Sequence, residues 1–403
     1  MKEFRERLSN PSGKAESLWT PVFTLLCLAE FLGYAQHFIL QPIFPLYITR
    51  LGGTPFHVGL VIASFGVASV VSRPILGYWA DRWSVTGVMI LGLLLQSFSI
   101  LICFAPWVGA VMLANGLRGI GWSGMNTGGY TLLATSAPPE RRGEASGYYG
   151  GVQSSATIVF PAVALWILEA PFGGYGATFA VAMALVLLGA GAGMALARQV
   201  PRAPRTRVEA DPGESWWREI LRVFDRNMLL SIGLLFTLHV SLPCFTSFVV
   251  LYARDLAIDH FGWYFVLTGA TSMLARPLLG KLSDKIGCGR SLVVAFALEC
   301  VALLVMPLAR DLAGVMLGGA LYFMGSAIGG ARILALAMEH APAKRRARAM
   351  ASFTIAFPLS NGAGALFNGL VVDLAGFAWM YLTAALVCAS GLLITARHWA
   401  GLK

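Results

Sequence analysis

The chain has 403 residues, 57% of them apolar and only 12% charged, and its mean hydropathy is +0.69. That balance lies well beyond a soluble globular protein and reads as a membrane protein. The net charge of +10 sits in short loops, where an anionic inner leaflet accounts for it, so no nucleic-acid partner is expected.

Residues 1–17 carry Lys2, Glu3, Arg5, Glu6, Arg7, Lys14 and Glu16, with no apolar core or small-residue cleavage site, so a cytoplasmic segment is expected rather than a signal peptide. Beyond it come apolar runs of about 20 residues, each enough for a ~30 Å hydrocarbon layer. They are predicted near 18–49, 56–80, 86–105, 108–134, 146–169, 176–197, 228–252, 261–282, 291–309, 312–338, 350–372 and 377–397, about twelve helices with six in each half.

In span one, Glu30 lies roughly 18 Å into the helix at 1.5 Å per residue, close to the bilayer midplane. Tyr34, His37 and Gln41 follow at i+4, i+7 and i+11, so the four share one narrow stripe that lipid would not favour. Span two carries Arg73 and ends in Gly77, Asp81 and Arg82. Span four carries Arg118 near mid-depth, with Trp122 and Asn126 continuing its face. A charge at mid-span costs at least ~2.5 kcal/mol, so Glu30 and Arg118 are not idle. An arginine stays charged and needs an acid, an anionic substrate or water, and Glu30 is the expected counterpart. Glu30 is read as a proton carrier and Arg118 as its modulator, against the alternative of a permanent structural ion pair.

Residues 198–227 hold Pro201, Pro204 and Pro212 and several arginines, the composition of an exposed linker. It divides an N-terminal bundle (18–197) from a C-terminal bundle (228–397), which a tail of 398–403 follows. Within it Ser215, Trp216, Trp217 and Arg218, then Ile220, Leu221, Val223 and Phe224, are predicted to form an amphipathic helix in contact with membrane lipid. In the second half, His239 with Phe236, Phe245 and Phe248 (span seven) and Arg332 (span ten) are expected on cavity helices, Trp122 facing the aromatic wall. Arg276 precedes Gly280, Asp284 and Lys285 in span eight, and Glu299 in span nine receives no role.

All but seven of the 30 Lys and Arg fall on one side: Arg50, Arg254 and Arg310 lie opposite, and Arg73, Arg118, Arg276 and Arg332 lie within spans. The positive-inside rule therefore makes both termini cytoplasmic. The six cysteines contain no C-x-x-C pair, so neither a disulfide framework nor a metal site is expected. No H-E-x-x-H, nucleophile elbow or phosphate-binding Gly-Lys-Ser motif occurs, so neither an enzyme nor a cofactor is expected.

The chain also repeats itself. Ser69–Asp81 (S-V-V-S-R-P-I-L-G-Y-W-A-D) matches Ser272–Asp284 (S-M-L-A-R-P-L-L-G-K-L-S-D) at an offset of 203 residues. Ala137-Pro138-Pro139-Glu140-Arg141-Arg142 matches Ala341-Pro342-Ala343-Lys344-Arg345-Arg346 at 204. Two fused copies of one membrane bundle point to a transporter whose halves rock about a central site.

On these residues the chain resembles the major facilitator superfamily over essentially its whole length. The loop signature G-x-L-x-D-x-x-G-R is matched well by Gly280–Gly287 and partly by Gly77–Ser84, where the later glycine and the basic pair are missing. The resemblance implies an all-α fold of two pseudo-twofold-related six-helix bundles, with spans one, four, seven and ten around the cavity. It implies a cytoplasmic gate in which Gly77 and Gly280 permit close helix approach, Asp81 meets the start of span eleven near Arg348 to Ser352, and Asp284 meets the start of span five near Gly143 to Ser146. Arg82 and Lys285 complete the two gate loops. Around A-R-P-L-L-G-K-L-S-D the chain is similar to oxalate/formate antiporters and monocarboxylate carriers, which makes Arg276, and its counterpart Arg73, candidate anion contacts. The span-one, span-two and P-P-E-R-R-G-E-A segments look most like the bacterial sugar- and drug-efflux branch, although the antiporter pattern of span five is degraded around Phe160-Pro161-Ala162. Proton-coupled export of a small molecule by a monomer in the bacterial inner membrane is the leading expectation. Proton-coupled uptake or exchange of a small carboxylate or other organic anion is the alternative.

Overall fold

A computed structural model describes residues 18–137, 141–200, 228–340 and 346–399, without the side chains of 276–278, 280–285, 346–352 and 354. The amphipathic segment from Ser215, both termini, and the side chains of Arg276, Gly280, Asp284 and Lys285 therefore lie outside the described residues.

The first half forms α1 (Pro21–Arg50), α2 (Pro55–Arg82), α3 (Val85–Ile102), α4 (Val108–Ser136), α5 (Arg142–Glu169) and α6 (Tyr175–Gln199). The second forms α7 (Leu229–His239), α8 (Leu242–Thr246), α9 (Phe248–Asp255), α10 (Gly262–Ile286), α11 (Cys288–Val305), α12 (Leu312–His340), α13 (Arg346–Ala375) and α14 (Phe377–Arg397). Ten stretches among the described residues are long and apolar enough to cross a membrane; α4 and α10, 29 and 25 residues long, lie between them. In α4 seven glycines, with Asn115, Arg118 and Asn126, dilute the apolar character.

The helix starts follow from local chemistry. Thr20 accepts the Phe23 N–H at 3.2 Å with Pro21 in the first turn, and Ser84 accepts the Gly87 N–H at 3.0 Å. Gly174 and Gly376, at φ +103° and +87°, turn the chain into α6 and α14, positions a side chain would strain.

Corresponding contacts recur in the two halves. The Tyr47 hydroxyl donates to the Cys103 carbonyl at 3.0 Å, and Tyr252, 205 residues on, donates to Met306 at 2.9 Å. Gly121 packs on Gln96, and Gly325 packs on Glu299. The halves differ in span seven, expected as one helix. Its backbone breaks around Val240 and Ser247, where α13 presses Gly364 against the Val240 carbonyl. Carbonyls at the breaks are satisfied by side chains: Val240 by the Asn368 amide at 3.2 Å, Cys244 by Tyr381 at 3.3 Å and Phe245 by Tyr264 at 2.9 Å. Broken helices are tolerated at membrane depth on this condition.

The halves meet through α2 against α13, α5 against α10, and α1 against α9. Pro55, Gly59, Ala63 and Gly66 of α2 face Gly369, Ala365, Gly362 and Pro358 of α13, a run of small residues that lets the backbones touch. These contacts belong to the end of the bundle that carries Thr54, here called the Thr54 face. Toward the opposite end, the Asp81 face, a side chain added at Gly77, Gly143, Gly147, Gly150 or Gly151 would meet nothing within 4 Å. The halves are thus packed at the Thr54 face, and among the described residues α2 and α5 show no comparable neighbours toward the Asp81 face.

Candidate functional site

The polar stripe of α1 meets α4 and α5 along the wall of the first half. Four-residue spacing puts Trp122, Asn126 and Tyr130 on one face of α4, and Tyr149 and Gln153 on one face of α5. The Tyr34 hydroxyl donates to Asn126 Oδ1 at 2.9 Å, and the Asn126 amide donates to the Trp122 carbonyl at 3.0 Å. The Trp122 ring lies 4.5 Å from Tyr34 and 4.3 Å from His37, so it is held between two residues of the stripe. Gln41 is half-buried one turn on.

Glu30 is fully buried, beside Gly129 and against the Tyr149 hydroxyl and the Gln153 amide. Only a glycine at position 129 leaves room for that carboxyl group. Its two oxygens, the Tyr149 hydroxyl and the Gln153 amide nitrogen are neighbours that close no bond of normal hydrogen-bond geometry. Gln153 in turn accepts from Tyr130 at 3.3 Å. A polar surface therefore runs from Glu30 past Tyr149 and Gln153 to Tyr130.

Arg118 belongs to a different level. It donates to Asn115 Oδ1 at 2.7 Å and approaches His37 Nδ1 at 3.1 Å, with Phe44 and Phe65 rings each 5.1 Å from its Cζ. A guanidinium cannot accept, so Nδ1 of His37 is the acceptor and the ring proton sits on Nε2. Glu30 lies beside Gly129, eleven residues further along α4 than Arg118, roughly 16 Å at 1.5 Å per residue. The expected pairing of Glu30 with Arg118 is not made. Both occupy the midplane region by sequence position alone, yet α1 and α4 run in opposite senses, and the side chains diverge along the axis.

Other expected contacts are redistributed. Phe245 is fully buried and stacks on Tyr322 at 4.0 Å, and Phe248 is also buried, so these rings pack the second half instead of forming a wall opposite Trp122. The breaks in span seven turn them inward. Arg332 reaches Cys288 at the start of α11, and the α12 face that bears it is directed into its own half. His239 packs on Phe357 at 5.0 Å and beside Gly330. Among the described residues a Cβ added at Gly77 meets nothing within 4 Å, Asp81 is exposed and makes no hydrogen bond, and Arg82 lies over the Tyr78 ring at 4.4 Å. The gate contact expected of Asp81, with Arg348 to Ser352, falls on side chains that lie outside the described residues. Glu299 is fully buried against α12 and α14, where Cys388 Sγ lies 3.7 Å from its Oε2.

An unexpected contact joins the halves at the Thr54 face. Asp373, in the last turn of α13, accepts from the Thr54 hydroxyl at 2.6 Å and from the Phe56 N–H at 3.2 Å. It caps the start of α2 from the other half, where free N–H groups and the helix dipole favour a carboxylate. Tyr130, Tyr149, Gln153, Asn115 and Asp373 were not singled out by sequence. For Tyr130 the signal was present, since it continues the spacing of Trp122 and Asn126.

Comparison with known proteins agrees with this architecture. The profile of the Major Facilitator Superfamily matches residues 26–331 and 244–399. An uncharacterised MFS-type transporter of Methanocaldococcus jannaschii is 23% identical over 385 residues, covering 92% of this chain and 94% of that protein. The multi-drug resistance efflux pump PmrA of Streptococcus pneumoniae is 24% identical over 291 residues, 69% of this chain and 70% of the pump. Among solved structures, the nucleoside transporter NupG superposes with a TM-score of 0.71 at 14% identity, covering 94% and 98% of the two chains. A POT family transporter superposes at 0.77 with 12% identity, covering 94% and 96%. With its profile spanning nearly the whole length and its helices arranged as in solved transporters, the chain belongs to the major facilitator superfamily of membrane transporters.

Proposed function

We propose that this transporter exports small organic molecules in exchange for protons, by alternating access, as a monomer in a bacterial inner membrane with the Asp81 face and both termini cytoplasmic. The N-terminal bundle spans 18–197, the C-terminal bundle 228–397, and the linker between them lies on the cytoplasmic side. Similarity to an efflux pump supports the direction. The observation that carries the coupling is Glu30: a fully buried carboxyl group with no cationic partner among the described residues. A change of protonation there alters the charge where an unpaired ion costs several kcal/mol. Proton exchange at Glu30 is therefore linked to the conformation that lets water reach it. Tyr149 and Gln153 position the carboxyl group, and Tyr34, His37, Gln41, Trp122 and Asn126 line the path of the substrate.

The test is transport by reconstituted protein under an imposed pH gradient, with a panel of cationic dyes, sugars and carboxylates. Glu30→Gln is expected to bind the transported compound, read by its thermal shift, while losing gradient-driven accumulation. Accumulation at the wild-type level in Glu30→Gln overturns the coupling role.

A second reading, uptake of a small carboxylate, is favoured by Arg73 and Arg118, neither of which has a carboxylate within 4.0 Å among the described residues. Arg276 joins them on sequence grounds. A carboxylate as the one accumulated member of the panel selects this reading.

A further inference from the structure

Arg50 and Arg254 depart from the charge asymmetry of the loops, since they lie on the face that is otherwise poor in cations. They are also repeat partners, 204 residues apart, ending α1 in one half and α9 in the other. The structure brings them to one place. The Arg50 guanidinium lies 5.1 Å from the centroid of the Tyr175 ring, and Arg254 borders the same cavity as that ring. Both line a cavity of about 700 Å³ at the Thr54 face, floored by Leu46, Val250 and Phe261 from the two halves. Among the described residues no carboxylate lies within 4.0 Å of either guanidinium, although Glu169 and Asp259 also line the cavity.

Two further observations mark this cavity as more than a solvated rim. Asp373 seals the α2–α13 side of the face by capping α2, whereas its repeat partner Glu169, 204 residues earlier, makes no such bond and borders the cavity instead. The turn between α9 and α10, which lends Ala257 to the cavity wall, holds Ala257 and His260 at φ 52° and 54°, left-handed conformations that cost non-glycine residues free energy and concentrate at ligand sites.

We infer that Arg50 and Arg254 form an anion-binding site between the halves, taking a single phosphate or carboxylate group whose apolar portion rests on Leu46, Val250 and Phe261. Two guanidiniums from different halves repel one another across the cavity. An anion between them cancels that repulsion and holds the Thr54 face closed. Glu169 and Asp259 disfavour ligands of high negative charge. The site is separate from the polar wall around Glu30 and does not depend on which compound is carried.

The probe is inorganic phosphate against chloride at matched ionic strength, with the full chain in neutral detergent and unfolding followed by tryptophan fluorescence. Phosphate stabilises proteins generally, so the double variant Arg50→Gln/Arg254→Gln supplies the non-saturable background. Wild type is expected to show a saturable rise in Tm above that background. Arg50→Lys/Arg254→Lys, which retains both charges and guards against misfolding, is expected to keep at least part of the rise, and Arg310→Gln, away from the cavity, all of it. In vesicles, phosphatidylglycerol raising Tm relative to phosphatidylcholine in wild type only identifies a lipid headgroup as the source; no difference between the lipids identifies a free anion. Equal phosphate responses in wild type and the double glutamine variant, or a response lost equally in Arg310→Gln, overturn the site.

Discussion

Asp373→Asn tests whether the Thr54 face is latched by one carboxylate. The substitution keeps the shape of the side chain but removes the charge that accepts the Thr54 hydroxyl at 2.6 Å and the Phe56 N–H at 3.2 Å. Hydrogen bonds to a charged group contribute about 1.5–3 kcal/mol, and a carboxylate at a helix start about 0.3–1 kcal/mol. The contact is exposed, and solvent screening reduces the combined effect to about 1–2 kcal/mol. That magnitude moves a two-state equilibrium by roughly 5- to 30-fold toward the conformation with this face open. Spin labels at Phe172 and Leu374, both exposed at this face and in different halves, report the separation by pulsed electron resonance. The ratio of the longer- to the shorter-distance population is expected to grow by that factor in Asp373→Asn and less in Thr54→Val, and the double variant is expected to match Asp373→Asn because the two share a bond. Unchanged populations in Asp373→Asn, or the same change in Asp255→Asn, refute the latch.

Three other outcomes follow from the packing. Gly66→Ala places a Cβ 2.7 Å from the Pro358 carbonyl oxygen, so α2 and α13 must part; a loss of about 1–3 kcal/mol is expected, read as a lower Tm. Asn368→Leu leaves the Val240 carbonyl without its side-chain donor at the break in span seven, with an expected loss of about 1–3 kcal/mol in denaturant unfolding. Glu299→Gln is expected to leave transport and Tm near wild type, because its repeat partner Gln96 packs on Gly121 as Glu299 packs on Gly325. A loss of gradient-driven transport in Glu299→Gln at unchanged Tm contradicts that structural role.

The membrane fold was legible because hydropathy and the offset of 203 to 204 residues are properties of long stretches. The stripe of Glu30, Tyr34, His37 and Gln41 was legible for the same reason, since helical spacing alone places the four on one face. The partners of these residues were not. Pairing Glu30 with Arg118 assumed that equal depth means contact, and depth estimated from span boundaries is too coarse to decide a side-chain neighbour. Tyr149 and Gln153 come from α5, whose rotation about its own axis is set by packing on α1 and cannot be counted along the chain. The break in span seven was hidden as well, because the stretch reads as predominantly apolar throughout and Pro243 is its one proline. The donors that make the break tolerable lie 19 to 137 residues away.

The duplicated positions have diverged in chemistry while keeping their geometry. Where the first copy has Glu30, Tyr34, Arg118 and Asn126, the second has Leu234, Leu238, Tyr322 and Gly330 at the same offset of 204. Even the contact between His37 and Arg118 survives in form, as Ser241 against Tyr322 at 3.2 Å, but without a cation. The two copies have thus become unequal in kind: at these matched positions the first carries a carboxyl group, a guanidinium and two further hydrogen-bonding side chains, whereas the second carries one phenol among leucine and glycine. Grafting the second copy's residues onto the first would make the two lobes alike at these four places and leave neither with a formal charge there.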